Sequence, residues 1–125
     1  DSIPQKTEGI EVMTLAITPT ATDTRLKIDV VVYMASDDGD DHIVALFQDD
    51  TANALAANQN YQGTNTATNT VNLTHYMAAG TTSATTFKVR LGGNGSSTVT
   101  VNGASGSRLF GGVASSTLTV MEITV

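Results

Sequence analysis

The chain has 125 residues, 12 of them acidic and 6 basic, which gives a formal net charge of −6 at pH 7 and a pI near 4.5. Phosphate recognition needs clustered Lys and Arg, and Lys6, Arg25, Lys27, Lys88, Arg90 and Arg108 are scattered, which argues against nucleic acid as a partner. Cys is absent, so disulfides and thiolate metal sites are excluded; no apolar run is long enough for membrane insertion, and the length fits a single domain over residues 1–125.

Only 5% of residues are aromatic and none is Trp, so Val, Leu, Ile, Ala and Met must fill the core. Thr favours strands through its β-branch, while Ser, Asn and Gly favour turns, and this bias predicts an all-β protein. Residues 1–9 predict an extended lead-in around Pro4. The start at Asp1, without Met, is what a piece of a longer protein would show. Gly9–Ile17 predicts a first strand, apolar on both faces and stopped by Pro19 and Asp23. Arg25–Tyr33 alternates cleanly, with Leu26, Ile28, Val30 and Val32 on one face and Arg25, Lys27 and Asp29 on the other.

Asp37-Asp38-Gly39-Asp40-Asp41 predicts an acidic loop, because neighbouring carboxylates repel, and His42–Gln48 predicts the next strand. Ala52–Ala57 fits one helical turn or a short strand, and Asn58–Thr66 reads as a long exposed loop. Val71–Met77 and Thr85–Leu91 alternate as strands. Gly92-Gly93-Asn94-Gly95 predicts a hairpin turn into Ser97–Val101, and Asn102–Gly106 leads to the closing strand, Ser116–Val125. That last strand has Leu118 and Val120 on one face and Met121, Ile123 and Val125 on the other. Apolar side chains on both faces imply two coverings, the domain's own core and a neighbouring subunit, with Met13, Met121 and Ile123 at the interface. Short strands at even spacing predict an antiparallel β-sandwich of the jelly-roll type.

Three segments resemble the C-terminal domains of phage tail fibres and related virion fibre proteins: Glu8–Met13 running to Thr18-Pro19-Thr20, Ala84–Arg90, and Ser115–Ile123. The resemblance implies a homotrimeric jelly roll similar to the C1q and tumour-necrosis-factor group. It also implies a virion location and a tip that binds a host cell-surface glycan or protein without an enzymatic centre. A capsid decoration or head-fibre protein, and a carbohydrate-binding module, are the alternatives.

The chemistry-bearing residues agree with an absence of catalysis. Asp37–Asp41 has the oxygen ligands that Ca²⁺ takes, yet lacks the Asp-x-Asp-x-Asp-Gly spacing and distal Glu of the helix-loop-helix site, so a solvated acidic tip is expected. His42 and His75 have no Cys to complete a zinc site, although a trimer axis gathers three copies of one histidine. Ser105, in Gly103-Ala104-Ser105-Gly106, does not match a nucleophile elbow. Glu122 is expected to pair with Arg90 or Arg108. Tyr61, ringed by Asn58, Gln59, Asn60 and Gln62, has the make-up of a sugar platform. The expected receptor contacts are therefore Asp37, Asp38, Asp40, Asp41, Asn58, Asn60 and Tyr61, with no catalytic residue, cofactor or metal.

Overall fold

Leu26, Ile28, Val30 and Val32 alternate with Lys27, Asp29 and Val31, and such a segment is stable as a strand when one face meets a core. In the computed structural model, which describes residues 2–64 and 67–125, that strand continues past Tyr33 to Ser36 and its four inward side chains are buried. The strands in chain order are β1 (Ile10–Ile17), β2 (Arg25–Ser36), β3 (Asp40–Gln48), β4 (Ala56–Gln62), β5 (Thr68–Ala78), β6 (Thr85–Gly92), β7 (Val99–Val101), β8 (Gly103–Ala104), β9 (Ser107–Arg108) and β10 (Thr117–Ile123). One antiparallel sheet has the order β1-β6-β3-β4. The other has the order β10-β2-β5, with β7 pairing β2 beyond the end of β10, and β8 and β9 form a small ribbon.

Between the sheets lie Leu26, Ile28, Val30, Val32 and Met34 of β2, Val44 and Leu46 of β3, Val71 and Leu73 of β5, and Phe87, Val89 and Leu91 of β6. The expected all-β antiparallel sandwich is therefore present, filled mainly by aliphatic side chains. Transfer of such side chains out of water, at roughly 25 cal/mol per Å² of apolar surface, is the main favourable contribution holding the sheets together.

Three local expectations are corrected. Gly92–Gly95 does not turn a hairpin, because β6 already has β1 and β3 on its two sides and no free edge remains for β7. The chain instead crosses to the other sheet, where β7 pairs with β2. Asn58–Gln62 is not loop but most of β4, an edge strand that needs a ladder on one side only. Its amides compensate for the polar sequence: Asn58 Nδ2 donates to the Asn72 carbonyl at 2.8 Å and Asn60 Nδ2 to the Thr70 carbonyl at 3.3 Å, both on β5. The Ala52–Ala57 run is resolved in favour of strand at its end, and Asn65 and Thr66 lie outside the described residues. Asp40 and Asp41 open β3, so the acidic turn shrinks to Asp37–Gly39.

The lead-in is pinned across the outer face of the first sheet. Lys6 N donates to the Ala52 carbonyl at 2.8 Å and Ala54 N to the Pro4 carbonyl at 3.0 Å. Arg90 donates from Nε and Nη2 to the carbonyls of Glu8 and Gly9, both at 2.7 Å. Glu122 consequently pairs with neither arginine; it accepts from Thr20 and Thr24, while Arg108 donates to the Ala114 carbonyl.

Candidate recognition cleft

At one end of the sandwich the β2–β3 turn meets the β6–β7 crossover. Asp37, Asp38, Gly39 and Asp40 form one wall and Asn94, Gly95, Ser96 and Ser97 the other, around an open cleft of about 460 Å³. Asp37 Oδ1 accepts the Thr98 amide at 2.8 Å, Asp38 Oδ1 accepts the Gly39 amide at 2.8 Å, and Asn94 Nδ2 donates to Asp41 Oδ2 at 2.6 Å.

Asp40 ties the two walls together. It is 3% exposed, and its carboxylate accepts from the Ser97 hydroxyl, the Asn94 amide at 3.0 Å and its neighbour Asp41's amide at 2.8 Å. The Ser97 hydroxyl, followed by the backbone N–H groups, holds its carboxyl below the usual carboxylate range, since burial alone would push it the other way. Gly93 lacks a side chain for a related reason: a Cβ there would overlap the Asp40 carboxylate.

The β2–β3 turn that makes one wall is tied to a buried polar network. Gln62 exchanges two hydrogen bonds with the Ser36 backbone, each 2.9 Å, and donates to the Thr64 carbonyl. Ser36 Oγ donates to the Asp38 carbonyl at 2.6 Å and lies 3.0 Å from His42 Nε2, whose Nδ1 is 2.7 Å from Asn69 Oδ1. Among the described residues no buried side-chain polar atom lacks a partner, so the turn above this network is held in one shape. His42 is thereby committed to structure, and among the described residues no group of three His, Cys, Asp or Glu is placed to hold a metal ion.

The family model for the Pgp3 C-terminal domain matches residues 1–125. The chain belongs to the Pgp3 C-terminal domain family. No curated protein matches it. Of the expected resemblance, the all-β antiparallel sandwich is present, and the family is that of the Pgp3 C-terminal domain.

In this Pgp3 C-terminal domain the sequence-predicted contact residues divide into two sets. Asp37, Asp38 and Asp40 line the cleft, with Asp40 facing inward, and Asp41 joins it through its bond to Asn94. Tyr61 pairs with Asp41 across the β3–β4 ladder and is 67% exposed on the same sheet face. Asn58 and Asn60 are turned away and bonded to β5, so they do not join it. Asn94 and Ser97 are the additions; the Gly-Gly-Asn-Gly run marked a turn but gave no sign of which strands it joined.

The opposite side of the sandwich is an open edge where β1 lies beside β10. Met121 is 53% exposed there, with Ile10 and Leu15 also exposed on β1, and Ile123 is half-buried. Met13 turns toward the core behind an irregularity between Glu11 and Met13, so it contributes less to this surface than its sequence position promised. Just before β10, Phe110 is 71% exposed and Val113 78% exposed in a turn where Phe110, Gly111 and Gly112 all have positive φ.

Proposed function

We propose that this domain is a non-enzymatic recognition module, a homotrimeric tip that attaches to a glycan or protein on a host cell surface, in the manner of a virion fibre. The observation that carries the reading is the cleft: Asp37 and Asp38 are exposed on a turn tied to a network in which every described buried polar side chain is bonded. Fixed carboxylates and amides suit the hydroxyl groups of a sugar, and the exposed Tyr61 ring beside them offers an apolar face on which a sugar stacks. The open cleft favours weak single-site binding, and three copies on one tip raise the effective affinity by avidity. The exposed apolar edge of β1 and β10 is the natural seam for such a trimer, because burying it supplies the second covering that Met121 and Ile123 lack in one copy.

A glycan array and whole-cell binding test the reading. Tyr61→Ala and the pair Asp37→Asn with Asp38→Asn should abolish binding while leaving the fold intact. Unchanged binding by both variants would remove the cleft from the function.

A further inference from the structure

Two asparagines of this chain are followed by glycine, in Asn94-Gly95 and Asn102-Gly103, and that pairing carries a chemistry of its own. A backbone nitrogen attacks the side-chain amide carbon of the residue before it, and glycine, having no Cβ, leaves the approach open. The two pairs lie in opposite settings. Asn94 and Gly95 are exposed in the crossover between β6 and β7, where neither belongs to a ladder. The Asn94 side chain is held by Nδ2 donating to Asp41 Oδ2 at 2.6 Å, an exposed bond for which water competes. The Gly95 N–H faces the Asp40 carboxylate, an acceptor placed for the proton that this nitrogen sheds on attack. Asn102 is locked instead. Its Oδ1 accepts the Ser116 hydroxyl at 2.7 Å, its N–H donates to the Tyr33 carbonyl at 2.8 Å, and Gly103 is buried in β8 opposite Arg108.

We propose that Asn94 is a self-modification site, which converts to an aspartyl or isoaspartyl residue and so parts the walls of the cleft. The Gly95 nitrogen bonds to Asn94 Cγ, the Cγ–Nδ2 bond breaks, and ammonia leaves with the proton that Gly95 sheds, giving a cyclic imide. Water then opens the ring. Cleavage between Cγ and the Gly95 nitrogen gives aspartate; cleavage between that nitrogen and the main-chain carbonyl carbon gives isoaspartate. Nothing is oxidised, and water is the one co-reactant. Either product sets a carboxylate where the amide donor met Asp41, with Asp40 alongside, so attraction becomes repulsion. The isoaspartyl form also lengthens the main chain between Asn94 and Gly95, which displaces the Ser97 hydroxyl from Asp40. The chemistry at Asn94 stands on this geometry alone, and its effect on recognition rests on the cleft reading above.

The test is incubation of the full chain at mildly alkaline pH, with peptide mass spectrometry following aspartyl and isoaspartyl products at positions 94 and 102. Asn94 should convert about tenfold or more faster than Asn102, because a local opening that costs about 1.4 kcal/mol already slows Asn102 by that factor. In urea the difference should vanish. Gly95→Ala should slow conversion at Asn94, and the fold admits it: Gly95 has no positive φ, and the added Cβ would lie 3.5 Å from Asp40. Converted parent should exchange the Thr98 amide, which Asp37 accepts, faster than fresh parent. Its signal on a glycan array should fall with the converted fraction, whereas incubated Gly95→Ala keeps the signal of its own fresh sample. Equal native rates at positions 94 and 102 overturn the site and leave the cleft reading standing. Conversion with unchanged Thr98 exchange overturns the parting of the walls, and parted walls with an undiminished array signal overturn the bearing on recognition. A fresh parent that binds nothing on the array overturns the cleft reading, and the mass spectra still decide the chemistry at Asn94.

Discussion

Replacing Asp40 by Ala should unfasten the cleft and destabilise the whole domain. The carboxylate receives the Ser97 hydroxyl and two backbone N–H groups, those of Asn94 and Asp41. Hydrogen bonds to a charged group contribute about 1.5–3 kcal/mol each, but neighbouring ones are not additive, so a loss of about 3 kcal/mol is expected. For a domain of this size that corresponds to a fall in Tm of about 12 °C. Asp40→Asn should cost less, because the amide keeps the shape and its oxygen still accepts. The acid limb separates the charge from the shape. The carboxyl of Asp40 is held below its unfolded value, so its contribution is fully present above a pH of about 4 and is lost as pH falls through the lower folded value. The assay is urea unfolding of parent, Asp40→Ala and Asp40→Asn at pH about 6 and about 3, at one protein concentration because any association would add its own stability. The acid-induced loss should be smaller in Asp40→Asn than in the parent. An Asp40→Ala melt within a degree or two of the parent, or equal acid losses in parent and Asp40→Asn, would refute the reasoning.

Glu122 accepts from the Thr24 hydroxyl at 2.7 Å, the Thr20 amide at 2.8 Å and the Thr20 hydroxyl at 3.0 Å, and these bonds, Thr24's first, hold its carboxyl below the usual range. Glu122→Ala should loosen the β1–β2 corner, read as faster hydrogen exchange at the Thr20 amide; lowering the pH through the depressed titration of Glu122 should do the same in the parent, and unchanged exchange in the variant would count against the corner. Gly103→Ala should destabilise by about 3 kcal/mol or more, because the added Cβ overlaps the Ser107 carbonyl, which is backbone and has nowhere to go, and a melt near the parent's would contradict that. Met121→Asp should leave the monomer folded yet prevent association, since the side chain is already half in solvent; a native trimer from that variant would place the seam elsewhere.

The parts of this fold that were legible in the sequence are those where one physical rule acts alone. Arg25–Tyr33 and Thr85–Leu91 alternate because one face is buried, and both are strands within a residue or a few of the predicted bounds. Asn58–Gln62 was not legible, because polarity marks exposure and says nothing about whether a backbone ladder is available; that depends on β3 having a free side. The hairpin expected at Gly92–Gly95 failed for the converse reason, since turn residues permit a reversal but sheet order decides which sheet receives the chain. At the cleft, four aspartates of similar appearance proved unlike. Alternation from the start of β3 turns Asp40 and His42 inward and Asp41 outward, a pattern present in the sequence but hidden by reading the charges as one run.

The difference among those aspartates also bears on how an acidic turn would serve the recognition proposed for it. Asp37 and Asp38 keep their carboxylates near solvent, where they repel each other at short range. A free loop would relieve that repulsion by moving. Here Asp40 anchors the crossover strand segment on one side, and the Ser36–Gln62–His42 network fixes the turn on the other. The exposed carboxylates are therefore presented at a set spacing, so a ligand that bridges them loses little further entropy on ordering the loop. In a cyclic trimer every copy would keep the same component of orientation along the axis, so three such clefts would face the same way. On the proposed function, a weak contact at each would multiply on one target surface, and a seam would then matter to binding even though none of its residues touched the ligand.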